Sequence, residues 1–567
     1  MEKTDTTHWL TKYACNYYAW ETSVLDGQPI FKRRIGLVES SFDTDGSDYE
    51  GRADVNALLT LEVRNDLDVK EFRKRLLYAY ASLRLQHVLL MARVLRTTGT
   101  EQRDFAVNIP KKTQDVLDET SKALVFVDDA YQKVEDDEFV RHSLNTGRLI
   151  DPDTSLSKLY CLPLKPLSNG NFSLRLMLVA AHEITDGVSM YHWMSHLIRI
   201  LNAPMGDLER DLGFFQSSEN ISSRLPPSQE DLYPPVAGSL ARQRWFWAIM
   251  RILRHVKRTL PPTFVNPLRR SEARTAAAAL PKVFDKVFDY SPERIPPLNS
   301  FQCLANLSPG ASKRFIQLVR ETKASIGAGC FALVALAMME IEESRNPDIP
   351  LTERRPFVAS FPLSPRAFFN YTVPSDSCML AFSGGLVLPF LSSDLDVERR
   401  FKFAVRQAHR QLSIYQKRLR KSEVVSPYSP ARLIAENYLM TLERQEEKLP
   451  LHRKTGMADP QGGYPANIKL FGATCGVSSV GPIAHLLKPG VYTVGGSESG
   501  KEFAADFRDV RVGVRARDNE FLIGSLTDAN GVCFAASYDG NAIDESAART
   551  WKKKMEYLLE SGTKPRL

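Results

Sequence analysis

AAHEITDG, residues 180–187, follows the apolar run 174–181 and opens an amphipathic segment. A histidine at the end of a buried strand is a rigidly mounted side chain, because the strand fixes its backbone. Here the strand would hold the imidazole of His182, and Asp186 would hold the shape of the loop. Gly187 lets the chain turn into the next helix. The HxxxDG pattern therefore predicts a positioned general base.

The chemistry that suits such a base is acyl transfer to a hydroxyl group. The alcohol must lose its proton as its oxygen attacks, and imidazole, with an ordinary pKa of about 6.5, is mostly neutral near pH 7. A thioester donor is already activated, so only stabilisation of the oxyanion by fixed donors remains to be supplied. The alternative is that His182 is a core histidine beside a helix N-cap, Asp186.

Length and composition restrict the class of protein. A chain of 567 residues is too long for one compact core, so at least two lobes are expected. The composition, 43% hydrophobic and 25% charged, is typical of globular proteins. A net charge of +7 is too small to predict nucleic-acid binding, although it suits small anionic ligands.

Cysteine usage and the lack of long apolar runs indicate the compartment. The seven cysteines lack CxxC spacing and are expected to be reduced thiols; they stand at positions 15, 161, 303, 330, 378, 475 and 533. The first residues, MEKTDTTH, lack the apolar core of a signal peptide. No run of about 18 apolar residues occurs. We therefore expect a cytoplasmic protein without a transmembrane segment. We also expect a monomer.

Periodicity predicts mixed helices and strands in the first half. Residues 55–63 form a predicted strand, and Asp68 with Glu71 forms a predicted capping box for a helix that reaches about residue 93. Residues 172–181 form a predicted strand buried on both faces. Apolar residues at helical spacing from 190 to 201 predict the helix that follows Gly187.

The second half has elements of the same kind. Proline pairs mark 206–300 as a crossover with a short helix near 240–258. We therefore divide the chain into an N-terminal lobe with the HxxxDG motif (1–205), the crossover, and a C-terminal lobe (301–567). Further predicted elements are a helix capped by Ser308 with Pro309, a buried helix at 330–339, strands at 357–363, 381–390 and 470–477, a helix at 397–419, and a last helix capped by Asp544.

Several further motifs stand in order along the chain: LRLQHVLL (83–90), FPLSPR (361–366), GVSSVG (476–481) and YDGN (538–541). With HxxxDG, they resemble the chloramphenicol-acetyltransferase-like superfamily. This superfamily includes nonribosomal peptide synthetase condensation domains, polyketide-associated acyltransferases and fungal alcohol O-acetyltransferases. GLVESSFD (36–43) and GRADVNAL (51–58) most resemble the fungal trichothecene 15-O-acetyltransferase group.

At two places the sequence differs from the motifs of particular branches of this superfamily. The DFGWG loop of the plant acyltransferases is absent, which argues against that branch. The condensation-domain motif is HHxxxDG, and its first histidine is Ala181 here. That difference weakens an interpretation as a condensation domain acting on carrier proteins.

The resemblance implies an α/β (α+β) fold of two similar lobes with the active site in a tunnel between them. One mouth would admit acyl-CoA and the other the alcohol. The implied activity is acyl-CoA-dependent O-acylation, with acetyl-CoA as co-substrate and a hydroxyl of a terpenoid or another secondary metabolite as acceptor. One alternative is a condensation-type enzyme with a carrier-protein-bound donor. The other is a non-acylating binder or cyclase on the same fold.

The resemblance also assigns roles to residues. His182 is the base, and Asp186 is structural, through an ion pair across the lobes to Arg366. The alternative for Arg366 is a surface arginine after a proline. Ser478 and Ser479 would face the cleft and donate to the oxyanion or the thioester; alternatively, they simply end a strand.

A metal site and a resident cofactor are not expected. His192 and His196 have i, i+4 spacing, but they lie opposite the apolar stripe, on a face predicted to be solvated. The zinc motif HExxH fails because position 186 is aspartate. We also find no GxSxG nucleophile elbow and no Gly-rich phosphate loop.

Each of two basic segments has two possible roles. Residues 399–421 contain nine Lys and Arg, which form either a solvated helix face or contacts to the phosphates of CoA. Residues 242–258 mix aromatic and basic side chains like an interfacial helix. This segment either packs on the body of the protein or contacts a membrane surface.

Overall fold

The computed structural model describes most of the chain. The described residues are 12–97, 102–256, 261–294, 297–369, 376–416, 430–454, 473–495, 502–529 and 531–560. The N-terminal stretch MEKTDTTH, the start of the strand predicted at 470–477 and the end of the helix predicted at 397–419 lie outside them. So do residues 417–421 of the basic segment.

The helices alternate with strands along the chain. They are α1 (Leu37–Asp48), α2 (Val69–Gln86), α3 (Thr113–Ala123), α4 (Asp136–Ser143), α5 (Gly187–Leu201), α6 (Met205–Phe215), α7 (Ser218–Ser222), α8 (Leu240–Val256), α9 (Pro309–Glu321), α10 (Ile326–Arg345), α11 (Val397–Gln416), α12 (Pro430–Lys448) and α13 (Glu545–Tyr557).

The strands fall into several sheets. They are β1 (Glu21–Leu25), β2 (Gln28–Arg34), β3 (Val55–Asn65), β4 (Arg93–Arg96), β5 (Arg103–Asn108), β6 (Leu124–Phe126), β7 (Ser157–Cys161), β8 (Lys165–Pro166), β9 (Phe172–Ala180), β10 (Ser300–Asn306), β11 (Phe357–Ser360), β12 (Pro362–Leu363), β13 (Ala381–Phe382), β14 (Leu386–Leu388), β15 (Cys475–Pro482), β16 (Phe503–Val514), β17 (Phe521–Thr527) and β18 (Val532–Asp539).

The first lobe is built on the sheet β16-β3-β9-β7-β6, with β8 on β9 and the smaller sheet β1-β2-β5-β4 beside it. β9 is a central strand between β3 and β7, and every residue from Leu174 to Ala180 is buried. This explains why its end reads as a continuous apolar run rather than an alternating one. α2 and α5 pack against each other, and α5 contacts β16.

The second lobe repeats this α/β design on the sheet β10-β18-β17-β15-β11-β14. α10 is buried almost throughout and packs against α9, α11 and α13. This all-round burial explains the nearly continuous apolar run at 330–339, since a helix enclosed by other elements has no solvent face. Two α/β lobes of the predicted class are therefore present.

β16 connects the two lobes. It lies far along the chain, yet it pairs antiparallel with β3 of the first sheet from Phe503↔Asn65 to Val514↔Val55. A β-bulge between Phe507 and Asp509 interrupts the register. The first sheet is thus completed by a strand of the segment that we assigned to the second lobe. The residue boundaries of the three predicted segments stay a prediction.

Local capping signals predicted helix starts well. Asp68 accepts a hydrogen bond from the Glu71 N–H at the start of α2, and Ser308 accepts one from Ala311 before α9. Asp544 caps α13 through the N–H groups of Ser546 and Ala547. The helices predicted within the crossover and after Gly187 are also confirmed, as α8 and α5.

Several predicted boundaries were wrong. α2 ends at Gln86 rather than near residue 93, because the chain turns into a short 3-10 helix at Val88–Met91. The strand at 357–363 is split into β11 and β12, since Pro362 cannot continue the first ladder. The strand at 381–390 is split at Gly384-Gly385, where Gly385 has a φ of +92°. Within the described residues, β15 starts at Cys475 and runs to Pro482.

Among the described helices, no single one is long and apolar enough to cross a bilayer. α9 and α10 meet the length and composition limits only as a pair, which is bent by 114°.

Candidate active site

His182 stands in a tight turn just after β9. The Ala181 N–H donates to the Leu156 carbonyl at 2.9 Å, and the Thr185 N–H donates back to the His182 carbonyl at 3.3 Å. The side chain is half-buried and lines a cavity, whereas its Nδ1 is fully buried without a hydrogen-bond partner in the described chain. The ring nitrogen that can reach the cavity is therefore Nε2.

A phenyl ring fixes the plane of this imidazole. Phe42 of α1 stacks on His182 with ring centroids 3.9 Å apart and an angle of 3° between the planes. The charged groups of Arg517 and Lys448 lie 5.7 Å and 5.8 Å from the Phe42 centroid. The histidine is thus held from one side by an aromatic ring that is itself enclosed by cations.

The cations around Phe42 share one carboxylate. Asp45 accepts from Arg517 Nη2 at 2.6 Å and from Nε at 3.0 Å, and it also pairs with Lys448. Burial favours the protonated acid, but Arg517 and then Lys448 hold the pKa of Asp45 below its ordinary value. This buried group ties α1 to α12 and to the segment after β16, directly behind the histidine.

The environment keeps His182 neutral. Burial, and then the positive charge of Arg517, lower the pKa of His182 to about 4. Asp186 and Asp45 act in the opposite direction but more weakly. At pH 7 the imidazole is therefore unprotonated and able to accept a proton.

Asp186 joins the two lobes. Its Oδ1 accepts the Ser189 N–H at 2.9 Å as the N-cap of α5, and its Oδ2 accepts the Met379 N–H at 3.0 Å. Arg366 Nη1 lies 2.7 Å from Oδ2, and the two side chains are only 13% and 8% exposed. The structure thus places Arg366 in a buried ion pair rather than on the surface.

Arg366 also crosslinks the backbone near this pair. Its Nη2 donates to the Ser377 carbonyl at 2.6 Å and to Ser189 Oγ at 3.1 Å. Ser189 Oγ in turn donates to the same Ser377 carbonyl at 2.8 Å. The start of α5 is therefore held against the second lobe by several charged and neutral hydrogen bonds.

Ser478 and Ser479 lie within β15 rather than at its end. They pair with Gly524 and Ser525 of β17, and both line the same cavity as His182. The ladder shifts between Ser479 and Gly481, and Gly481 adopts a φ of +83°, which favours glycine. Gly187, the first residue of α5, faces this bulge, since a Cβ there would lie 3.5 Å from Val480.

The cavity lies between the lobes and has a volume of about 750 Å³. The first lobe contributes His182, Asp186 and part of β16, and the second contributes β15, β17 and the chain around Pro362. Apolar and polar side chains both line it, and the polar ones include Arg269, Arg444, Arg511 and Arg517. A cavity of this size is typical of small-molecule sites.

The face of α5 that carries His192 and His196 is only partly solvated: both histidines are half-buried, whereas Arg199 on the same face is exposed. His196 Nδ1 is 2.8 Å from Nε2 of His87, and the His192 ring lies 5.6 Å from that of His87. The end of α2 packs against this face of α5 and covers part of it. Burial, and then Arg199, lower the pKa of His196 to about 3.

These histidines line a second cavity of about 740 Å³ that shares no residue with the first. Within the described ranges, no group of three or more His, Cys, Asp or Glu side chains could hold a metal ion.

Sequence reasoning missed four residues around His182: Phe42, Asp45, Arg517 and Lys448. Phe42 falls inside GLVESSFD, a segment singled out by resemblance, so a signal for it was present. Asp45, Arg517 and Lys448 come from distant parts of the chain with no local pattern that would bring them together.

Known structures with the same two-lobe fold exist. No protein-family model matches the sequence, and no curated protein does. The TRI3 trichothecene 15-O-acetyltransferase from Fusarium sporotrichioides superposes with a TM-score of 0.61 at 12% identity, covering 96% of this chain and 97% of that one. The first condensation domain of the calcium-dependent antibiotic synthetase gives 0.51 at 12% identity, covering 95% and 96%.

The chain has the acyltransferase and condensation-domain fold. A four-domain nonribosomal peptide synthetase, holo-AB3403, also superposes with a TM-score of 0.52 at 10% identity, and the match covers 96% of this chain but 33% of that one. The fold predicted from the sequence motifs, two chloramphenicol-acetyltransferase-like lobes, is confirmed by these matches.

Proposed function

We propose that this protein is an acyl-CoA-dependent O-acyltransferase that transfers an acetyl group to a hydroxyl of a terpenoid or a similar secondary metabolite. The observation that carries the proposal is the placement of His182. Its neutral imidazole is fixed by Phe42, its Nδ1 is buried, and its other nitrogen reaches a cavity between the lobes.

In the proposed reaction, His182 Nε2 accepts the proton of the acceptor hydroxyl while the oxygen attacks the thioester carbonyl. A C–O bond forms, the tetrahedral oxyanion collapses, and the C–S bond breaks. The proton held by His182 then passes to the departing sulfur, which leaves as CoA thiol. Burial, and then the charge of Arg517, disfavour the imidazolium, which promotes this second transfer and makes the first transfer, from the hydroxyl to His182, the more demanding one.

The oxyanion needs donors on the opposite wall of the cavity. Ser478 of β15 supplies a hydroxyl group there, and the paired strand β17 fixes its backbone. The Ser479 side chain points to the other face of the strand, toward Gly327 and Cys330 of α10. Each donor at an oxyanion typically contributes about 10²-fold or more in rate. We propose that Ser478 fills this role and that Ser479 only holds β15 against α10.

Asp186 and Arg366 position the machinery rather than react. Asp186 is engaged by Ser189, Met379 and Arg366, so none of its oxygens is available as a base. The pair keeps the helix after His182 docked on the second lobe. The ion pair thereby keeps the two walls of the cavity, which carry His182 and β15, at a fixed distance.

The cavity lining supports a small acceptor that carries both apolar surface and hydroxyl groups. Tyr191, Leu363, Phe382 and Val512 contribute apolar surface, and Asn266, Asn306 and Ser383 contribute polar groups. The structural match to a trichothecene acetyltransferase supports the acetyl donor and the terpenoid class. No resident cofactor is invoked, because acetyl-CoA is consumed as a co-substrate.

The second candidate is a condensation-type enzyme with a carrier-protein-bound donor. The matches to condensation domains favour it, since they have the same fold. Ala181 opposes it, because this residue replaces the first histidine of HHxxxDG. A non-acylating binder or cyclase is opposed by the complete arrangement of His182, Asp186 and Arg366.

The test is an assay with three donors against one panel of hydroxylated terpenoids: acetyl-CoA, an acetylated carrier protein, and no donor. Product is expected with acetyl-CoA, and it should be lost in His182→Ala but kept in the matched control His485→Ala, an exposed histidine. Product only with the carrier protein would favour the condensation-type enzyme. Conversion of a terpenoid without any donor would favour the cyclase.

A further inference from the structure

One face of α8 is an exposed apolar stripe. Trp245, Ile249, Ile252 and Leu253 are 69%, 49%, 51% and 37% exposed. They are spaced i, i+4, i+7 and i+8, so they share one side of the helix. Large apolar side chains grouped in this way mark an interaction site more often than a solvated surface.

The opposite face of α8 is already occupied. Trp247 and Met250 are buried and belong to the same apolar cluster as Tyr13 and Tyr438. The Trp247 ring lies 4.9 Å from that of Tyr13. The helix is therefore fixed to the body of the protein by its inner face, and the outer stripe is not needed for that packing.

The charges that the segment of α8 itself carries have one sign. Residues 240–258 contain six Lys and Arg and no Asp or Glu. Arg242 and Arg244 are exposed near the start of the helix. An apolar stripe with tryptophan, flanked by cations alone, is the pattern of helices that lie in the interface of a bilayer.

We propose that α8 docks this protein on an anionic lipid surface. The helix lies in the plane of the membrane, with Trp245 and Ile249 among the upper acyl chains. Arg242 and Arg244 contact the phosphate and carboxylate groups of the lipid heads. Both sequence interpretations of 242–258 then hold at once, because the inner face packs on the protein and the outer face contacts the membrane.

A lipid surface fits this stripe better than a second copy of the chain. Two facing copies of α8 would bring arginines against arginines with no acidic side chain on either helix to offset them. A bilayer that contains anionic lipids offers an apolar layer under a negative surface, which complements both features at once.

The inference is independent of the proposed function, because none of the stripe residues lines the cavity at His182. The test is co-sedimentation of the full chain with vesicles of phosphatidylcholine alone, and with vesicles that contain about 30% phosphatidylserine. We expect binding to the anionic vesicles that weakens as salt is raised, since exposed charges are screened.

Three variants complete the test. Trp245→Ser/Ile249→Ser should weaken partition about tenfold or more, and Arg242→Gln/Arg244→Gln should remove the preference for anionic vesicles. Phe214→Ser is the matched control, because Phe214 is 59% exposed on α6, and it should bind like the parent chain. Equal binding of the parent and the Trp245/Ile249 variant would overturn the proposal. A dimer in light scattering that the same variant abolishes would assign the stripe to self-association instead.

Discussion

The imidazole of His182 lies flat on the phenyl ring of Phe42, with 3.9 Å between the centroids. A stacked ring restricts the rotation of the imidazole without using either of its nitrogens. Nδ1 is buried, so the stack leaves one orientation in which Nε2 reaches the cavity. The aromatic ring of α1 thus fixes the orientation of the imidazole, which a hydrogen-bonding carboxylate does in other histidine sites.

Phe42→Ala is expected to lower kcat by about tenfold or more, because a base that rotates freely is less often in the reactive geometry. The KM for acetyl-CoA should change little. Truncation of a buried phenylalanine also costs about 3–5 kcal/mol of stability, so the melting temperature must be measured beside the rate. Phe42→Tyr keeps the ring and is the control; a normal kcat in Phe42→Ala would contradict the positioning role.

His182→Ala is expected to reduce acyl transfer by about 10²-fold or more while the melting temperature stays near that of the parent chain. The reason is that the side chain projects from a turn whose hydrogen bonds are made by the backbone. Steady-state kinetics with a saturating acceptor is the measurement. A variant that keeps a third of the parent kcat would show that another group removes the proton.

Asp186→Asn should lower both stability and rate, since it removes one side of a buried ion pair. Such a loss costs about 3–5 kcal/mol when the remaining charge stays buried. A double-mutant cycle with Arg366→Gln tests the pairing, because independent sites would give additive losses. Normal melting and turnover in Asp186→Asn would rule out the link between the lobes.

Stability should fall with acid from about pH 6.5 downward. The folded protein depresses the pKa of His182 to about 4 and of His196 to about 3, and it depresses that of His87 as well. In the unfolded chain these histidines have a pKa near 6.5. Between the folded-state pKa values and pH 6.5, the unfolded state therefore binds more protons than the folded state. Their stabilisation is complete above pH 6.5 and is lost toward pH 4 and 3.

The measurement is the melting temperature of the parent chain and of His196→Gln over this range. The variant removes one of the titrating groups, so its curve should be flatter between pH 6.5 and 3. Identical slopes in the two proteins would contradict the neutral, half-buried state of His196.

Transfer should be direct, without a covalent acyl-enzyme. Double-reciprocal plots are expected to intersect, activity should survive EDTA, and mass spectrometry after mixing with acetyl-CoA alone should show the unmodified chain. Parallel lines together with a stable gain of one acetyl group would instead indicate a ping-pong route.

The parts of this structure that the sequence predicted are those with local causes. The caps at Asp68, Ser308 and Asp544 act within three residues, and the stripe of α5 is a periodicity within one element. The motif around His182 is local in the same sense. A local pattern therefore located the proposed base and the loop that carries it.

The parts that it did not predict depend on which distant segments meet. Periodicity placed His196 on a polar face, but it does not indicate whether water or the end of α2 covers that face. Arg517 and Lys448 converge on Asp45 from separate elements, and each alone looks like an ordinary surface cation in the sequence. For this reason, the charged group of Asp45, Arg517 and Lys448 behind the proposed base could not be predicted from the sequence.

The pairing of β16 with β3 has a consequence for biosynthesis. While the chain emerges from the ribosome, the first sheet must wait with the edge of β3 open until Phe503–Val514 has been made. An open strand edge invites wrong pairing, so the nascent chain is exposed to mispairing until the later segment has been made. The N-terminal lobe is thus not a unit that gene recombination could transplant on its own, because its last structural component is encoded near the other end of the gene.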